Sequence, residues 1–210
     1  RFEIWKSGEL YHRFESILTG EHNIRNVLGA VVIAHHRGIR REEIFKGITV
    51  FAGVRRRQEV IGVAQGVYVL DDYAHHPNSV RQTIKGLRQR FPRRRLLLVY
   101  EPRSATSRRR TFQREYVDAF VHADVVVVGK LHDPSRIPKE EQFDPGALAL
   151  DLHRRGLKAS YIENVDGIVS HIRDLARPGD VVVILSTGSF DNIQEKLLSA
   201  LGDAIVPARI

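Results

Sequence analysis

Apolar residues change their spacing twice along this chain. From Phe2 to Leu18 the spacing roughly alternates through Phe2, Ile4, Leu10, His12 and Phe14, which predicts two short strands around a turn at Ser7-Gly8. From Asn23 it becomes helical: Ile24, Val27, Leu28, Val31 and Val32 form one stripe, and Gly38 is a natural stop. A second helix is expected from about Arg41 to Phe51, carrying Ile44, Phe45 and Ile48. A hairpin and two short helices enclose little core, so this stretch reads as the tail of a larger domain.

After Gly53 strands and helices alternate. Val60–Val63 and Val67–Leu70 are short apolar runs split by Gly66, and a helix from about Asn78 to Phe91 buries Val80, Ile84, Leu87 and Phe91. The strand Leu96–Tyr100, a helix near Thr111–Val121 and the strand Val125–Val128 come next. A loop from Gly129 to Asp144 precedes a helix at Pro145–Arg155, a strand at Ser160–Ile162 and a helix at Val165–Arg177. The strand Val181–Leu185 and a helix from Asp191 to Leu201 complete the series. Runs such as Val125–Val128 and Val181–Leu185 are apolar on both faces, which implies a mostly parallel sheet covered by helices on each side. The expected class is therefore α/β, a Rossmann-like domain from about residue 54 onward.

In such a sheet, ligands gather at the carboxyl ends of the strands. Three polar segments follow apolar strands there: Asp71 to Pro77, Glu101 to Arg108, and Ser186 to Phe190. Arg103 and Arg108 could each grip a carboxylate, and Ser186 to Ser189 could offer backbone N–H groups to an anion at a helix start. Asp71, Asp72, His75 and His76 could ligate a metal, but no distant third ligand has matching spacing, so no metal site is expected. Pro77 suits the first turn of the following helix.

Composition narrows the reading. The 210 residues carry a formal charge of +8, largely from arginines such as 55–57, 93–95 and 108–110. No aromatic-interleaved RNA motif or helix-turn-helix accompanies them, so they read as a solvated face and as holders of small anions, with no nucleic acid expected. Cysteine is absent, which excludes disulfides and thiolate sites and fits a cytoplasmic location. No run approaches the roughly 18 apolar residues needed to span a bilayer. The chain contains no Met and starts at Arg1, so a piece of a longer protein is expected. It has no G-x-x-x-x-G-K-[ST] P-loop, and any ATP chemistry must borrow groups from outside it.

Three runs in fixed order carry a resemblance: Gly20-Glu21-His22-Asn23-Ile24-Arg25-Asn26, then Phe51 to Glu59 with Gly53-Val54-Arg55-Arg56-Arg57-Gln58-Glu59, then Asp71-Asp72-Tyr73-Ala74-His75-His76-Pro77. Over nearly the whole chain they resemble the Mur ligase family, where H-N-x-x-N ends the central ATPase domain, G-V-K-R-R-x-E is the hinge and D-D-Y-x-H-H-P opens the C-terminal domain. Arg55 stands where lysine is usual. The resemblance implies that residues 1–53 are the incomplete C-terminal tail of a central ATP-binding domain and residues 54–210 the Rossmann-like C-terminal domain. Within the family, Glu101 to Arg108 resembles the E-P-R-S-x-T-S-R run of the murein peptide ligases, whereas the alanine-adding branch has Q-P-H-x-Y-T-R there. Ser186 to Phe190 resembles their S-N-G-x-F loop, with Thr187 in place of Asn.

The resemblance implies an ATP-dependent amide ligase of peptidoglycan recycling. ATP phosphorylates the lactyl carboxylate of UDP-N-acetylmuramate, and the amine of L-alanyl-γ-D-glutamyl-meso-diaminopimelate attacks the acyl phosphate. It implies nucleotide contacts at Asn23, Asn26 (adenine), Arg57 (phosphate or ribose) and Asp72 (ribose), with ATP bridging the two parts. It also implies substrate contacts at His75, His76, Arg103, Arg108, Ser186, Gly188 and Phe190. The P-loop, the ligands of Mg2+ and the UDP-binding domain are expected before Arg1, so no catalytic residue is assigned and the chain alone is expected to be inactive. The partners implied are UDP-N-acetylmuramate and the murein tripeptide, with no membrane and an open oligomeric state. The alternatives are the UDP-N-acetylmuramate–L-alanine ligase and a non-catalytic Rossmann-like binding module.

Overall fold

The computed structural model describes residues 1–202, 204 and 205. The chain divides into two compact units, Arg1–Val54 and the residues from Arg55 onward.

In the first unit, strands β1 (Phe2–Lys6) and β2 (Glu9–Phe14) form an antiparallel hairpin, followed by helices α1 (Glu21–His36) and α2 (Arg41–Val50). Phe14, Val27, Val31 and Ile44 are its buried apolar residues, with Phe2, Ile4, Tyr11, Ala34, Phe45 and Ile48 packed around them. The expected stripe on α1 is only partly covered. Val27 and Val31 are buried, but Ile24, Leu28 and Val32 are exposed, because the hairpin and α2 are too small to cover a face that wide.

The second unit is a seven-stranded, mostly parallel sheet. Its strands are β3 (Glu59–Ala64), β4 (Val67–Asp72), β5 (Leu96–Tyr100), β6 (Val125–Val128), β7 (Lys158–Tyr161), β8 (Val181–Leu185) and β9 (Ala204–Ile205). They lie in the order β7-β6-β5-β8-β4-β3-β9. The pairs among β7, β6, β5, β8 and β4 are parallel; β3 runs antiparallel to both β4 and β9. Gln65 and Gly66 close the β3–β4 hairpin, both with positive φ, the conformation a two-residue turn matched to strand twist demands.

Side chains alternate across the sheet as the double-sided apolar runs imply. Leu96, Leu98, Tyr100, Val126, Val128, Val181, Val183 and Leu185 pack with helices α3 (Pro77–Arg90), α4 (Gln113–Ala119) and α5 (Pro145–Arg154). Leu97, Val99, Val125, Val127, Val182 and Ile184 pack with α6 (Val165–Leu175) and α7 (Ile193–Leu201). Helices thus cover both faces of the sheet.

Several boundaries differ from the sequence pattern. Arg110–Phe112 form a tight 3-10 turn, so α4 starts at Gln113 rather than near Thr111. Strand β7 begins two residues earlier than Ser160, because Lys158 pairs with Val125 in register with β6. Helix α7 starts at Ile193 rather than Asp191, because Phe190, Asp191 and Asn192 all adopt left-handed backbone conformations. The loop after β6 contains two short 3-10 turns, Pro134–Arg136 and Lys139–Glu141. No helix among the described residues is long and apolar enough to cross a membrane.

Candidate functional site

The strand order places β8 between β4 and β5, although it is formed after both. Strands β4, β5, β6 and β7 step outward through helices on one face, and the chain returns over the other face to insert β8. A crevice at the carboxyl ends follows from this reversal. The three polar segments 71–77, 101–108 and 186–190 therefore meet at one rim. Main-chain bonds tie them together: Ser186 N–H donates to the Asp72 carbonyl at 3.2 Å, and Glu101 N–H to the Leu185 carbonyl at 3.0 Å.

In the segment after β4, Asp72 is 2% exposed. One of its oxygens accepts the Gln58 N–H at 2.9 Å; the other accepts the Ala74 N–H at 2.7 Å and the Thr83 hydroxyl at 3.4 Å. Burial raises its pKa despite these bonds. The carboxylate expected at a ribose is thus turned inward, where it fixes the bend after β4. Asp71 is also buried and its pKa is raised by burial, which outweighs the neighbouring Arg56 guanidinium.

His75 is half-buried, with its Nδ1 3.0 Å from the Tyr73 carbonyl. Its own carbonyl accepts hydrogen bonds from the hydroxyls of Tyr100, at 3.4 Å, and Tyr116. Burial pushes both phenols up, Tyr116 to about 12, so they stay protonated donors at neutral pH. His76 is the N-cap of α3, accepting the Asn78 N–H at 3.3 Å, and its ring rests edge-on against Phe112 at 4.8 Å.

In the segment after β5, Glu101 is 4% exposed and organises its neighbours. It accepts the Ser186 hydroxyl on one oxygen and Arg103 Nη1, at 3.3 Å, on the other. Arg103 also lies 3.3 Å from His132 Nδ1. Its guanidinium crosses Gly188 so closely that a Cβ there would stand 2.1 Å from Arg103 Nε. Arg108 donates to the Asp133 carbonyl at 2.6 Å, while its buried Nε has no partner. Arg109 is exposed and paired with Glu141.

Two expectations for the segment after β8 change. Gly188 N–H is taken by the Ser186 hydroxyl at 2.9 Å and α7 begins only at Ile193, so Ser186 to Ser189 do not form an anion-binding helix start. Phe190 is 5% exposed, with its ring packed on Gly129 and into the core beneath the crevice. Arg103, Ser186 and Gly188 come together; His75, His76 and Arg108 flank them along the rim.

A cleft of about 440 Å³ opens beside Arg103, lined among others by Glu101, Lys130, His132, Glu163 and Asp191. Lys130 and His132 follow β6, a fourth polar segment after an apolar strand whose signal in the sequence is the same as that of the other three. Arg57 is exposed and its guanidinium lies 5.4 Å from the centre of the Tyr73 ring. In the first unit, Asn23 lies in the first turn of α1 and its amide donates to the Thr19 carbonyl at 2.8 Å; Asn26 is exposed one turn on. No group of three or more His, Asp or Glu among the described residues is arranged to hold a metal ion.

A family model described as the Mur ligase glutamate ligase domain matches residues 56–188. The chain belongs to the Mur ligase family. Among curated relatives, the UDP-N-acetylmuramate–L-alanine ligase of Roseiflexus sp. (strain RS-1) is 34% identical over 206 residues, 95% of this chain and 43% of that protein. The crystal structure of a murein peptide ligase from Psychrobacter arcticus 273-4 is 28% identical, with a TM-score of 0.68, over 92% of this chain and 40% of that one. The Thermotoga maritima UDP-N-acetylmuramate–alanine ligase superimposes with a TM-score of 0.77 at 20% identity, covering 92% of this chain and 41% of that one, a likeness of fold. The chain thus spans about two-fifths of the length of the Mur ligases it matches. In this family setting, the rim built by β4, β5, β6 and β8 is the candidate site.

Proposed function

We propose that this chain is the C-terminal part of an ATP-dependent Mur ligase that joins L-alanyl-γ-D-glutamyl-meso-diaminopimelate to UDP-N-acetylmuramate, and that the rim receives the peptide. The observation that carries this reading is Arg103. Its half-buried guanidinium is held by Glu101, flanked by His132 and seated on Gly188 at the mouth of the cleft. A guanidinium fixed in this way suits a carboxylate, which it binds through paired donors. The tripeptide carries several carboxylates; L-alanine carries one. Arg108, His75 and His76 extend the same rim, with Ser186, Gly188 and Phe190 forming its floor.

Toward the nucleotide, exposed Arg57 suits a phosphate, and within the first unit Asn23 and Asn26 are separately proposed as nucleotide contacts. Asp72 serves by fixing the bend beside Arg57. When bound, ATP supplies the phosphoryl group that makes an otherwise unreactive carboxylate open to attack. What these residues contribute is position and charge, the main needs of phosphoryl and acyl transfer. The described residues offer no group of carboxylates or imidazoles arranged to hold magnesium.

The second reading is an L-alanine-adding ligase, favoured by the 34% identity to the Roseiflexus protein of that name. Phosphate release from ATP by the complete gene product, with UDP-N-acetylmuramate and either tripeptide or L-alanine, separates them. Release with tripeptide alone supports the peptide ligase; release with L-alanine alone moves the assignment to the second reading. Silence with both from folded protein would leave a binding module.

A further inference from the structure

Arg56 sits in a run of three arginines, yet its surroundings set it apart. Its backbone is left-handed, with φ +57°. Its N–H donates to Glu59 at 2.7 Å, and its carbonyl accepts the Tyr73 N–H at 2.8 Å, so its main chain joins the start of β3 to the bend after β4. The side chain reaches onward. Nε donates to Asp71 at 2.9 Å, and Nη2 donates to the carbonyls of Ser186 at 2.8 Å and Gly188 at 2.9 Å.

Those carbonyls belong to the loop proposed above to floor the rim that receives the amine substrate. The Ser186 hydroxyl is bound to Glu101, and Gly188 lies directly under Arg103. One guanidinium therefore fixes the seat on which another rests. The next residue, Arg57, faces the same aromatic ring: the Arg56 and Arg57 guanidinium carbons lie 5.6 Å and 5.4 Å from the centre of Tyr73. Charge-assisted bonds in a half-buried setting thus link the backbone at 56–57 to Ser186 and Gly188. Lysine presents all its donors from one atom and does not reproduce the separate Nε and Nη2 positions from which Arg56 makes these bonds.

We propose that Arg56 is a positioning residue that couples the nucleotide contact at Arg57 to the affinity of the rim for its amine substrate. This rests on the ligase reading above. Nucleotide on Arg57 tightens the 56–57 segment, Arg56 holds the Ser186–Gly188 loop, and Arg103 is kept in its binding pose. By linkage the effect is reciprocal: the amine substrate strengthens nucleotide binding by the same factor.

The test uses the complete gene product, with calorimetric binding of the tripeptide (or of L-alanine, if that amine supports phosphate release) with and without a non-hydrolysable ATP analogue. In the wild type the analogue is expected to tighten amine binding by about fivefold or more, within the usual range of coupling between sites. In Arg56→Lys that ratio falls to about one, while the affinity for the analogue alone stays close to wild type. A purely structural role would instead leave the ratio intact, even with a lowered midpoint, and would overturn the proposal. So would a wild-type ratio of one. Should Arg56→Lys not fold, amide exchange in the wild type decides. Added analogue slows exchange at residues 186–190 if the coupling runs through Arg56, and unchanged exchange there overturns it. Absence of phosphate release with either amine would sink the ligase reading itself.

Discussion

Buried carboxylates do two opposite things in this molecule. Asp180, at the amino end of β8, receives two hydrogen bonds from Arg95, at 2.9 and 2.5 Å, and the Arg177 N–H at 2.8 Å. Burial works against its charge, but these donors outweigh burial and hold its pKa below the ordinary value. A depressed folded-state pKa contributes stability that is present above the unfolded value, near ~3.9, and lost as pH falls through the folded value. Asp180→Asn is therefore expected to lower the urea midpoint at pH 7, with the gap to wild type closing as pH drops below ~4. A gap that stays constant down to pH 3 would contradict the assignment. Asp72 has the opposite sign. Burial raises its pKa, so its ionisation costs stability as pH rises through the raised value, and its three donors offset that cost. Asp72→Ala strands the buried N–H groups of Gln58 and Ala74 and is expected to cost about 2–4 kcal/mol in urea unfolding, roughly the penalty for losing hydrogen bonds to a charged group.

At the scale of elements, the turn into α7 is fixed by packing against local preference. Phe190, Asp191 and Asn192 are left-handed, at a steric cost a bulky side chain rarely meets, yet the Phe190 ring fills the core beside Gly129. Phe190→Ala should remove the anchor and cost about 3–5 kcal/mol, with the turn loosened and Ser189 exchanging faster. A loss under ~1 kcal/mol would mean that the ring does little to hold the turn. This turn also marks what could be read in advance. Val125–Val128 and Val181–Leu185 announced buried parallel strands because both faces are apolar, and polar segments immediately after them announced the rim. The left-handed start of α7 was illegible, since Asp191 and Asn192 read equally well as a first helical turn. Arg56 was illegible for another reason: the two carbonyls it holds lie 130 and 132 residues away and meet it only because β8 inserts beside β4. The wide stripe on α1 was legible, but not that its cover is incomplete.

For the whole chain, the two units differ in how much apolar surface each encloses. The second buries two extensive layers on either side of its sheet, whereas the first encloses Phe14, Val27, Val31 and Ile44 and leaves Ile33 66% and Val50 70% exposed. Stability follows buried apolar area, so the 210-residue chain should open first in residues 1–54. Amide exchange is expected to be fastest in α1 and α2 and slowest in β5, β6 and β8. Equal protection across both units in a proven monomer would contradict this.

The proposed role of the rim is to receive the carboxylates of the amine substrate through Arg103 on its Gly188 seat. It is tested most directly by steady-state kinetics of Arg103→Ala in the complete gene product, beside Gly188→Ala, whose methyl group would displace the guanidinium without touching its charge. For both variants the KM for tripeptide is expected to rise by about tenfold or more. The KM values for ATP and UDP-N-acetylmuramate should stay within about twofold. An unchanged KM for tripeptide in Arg103→Ala would contradict it.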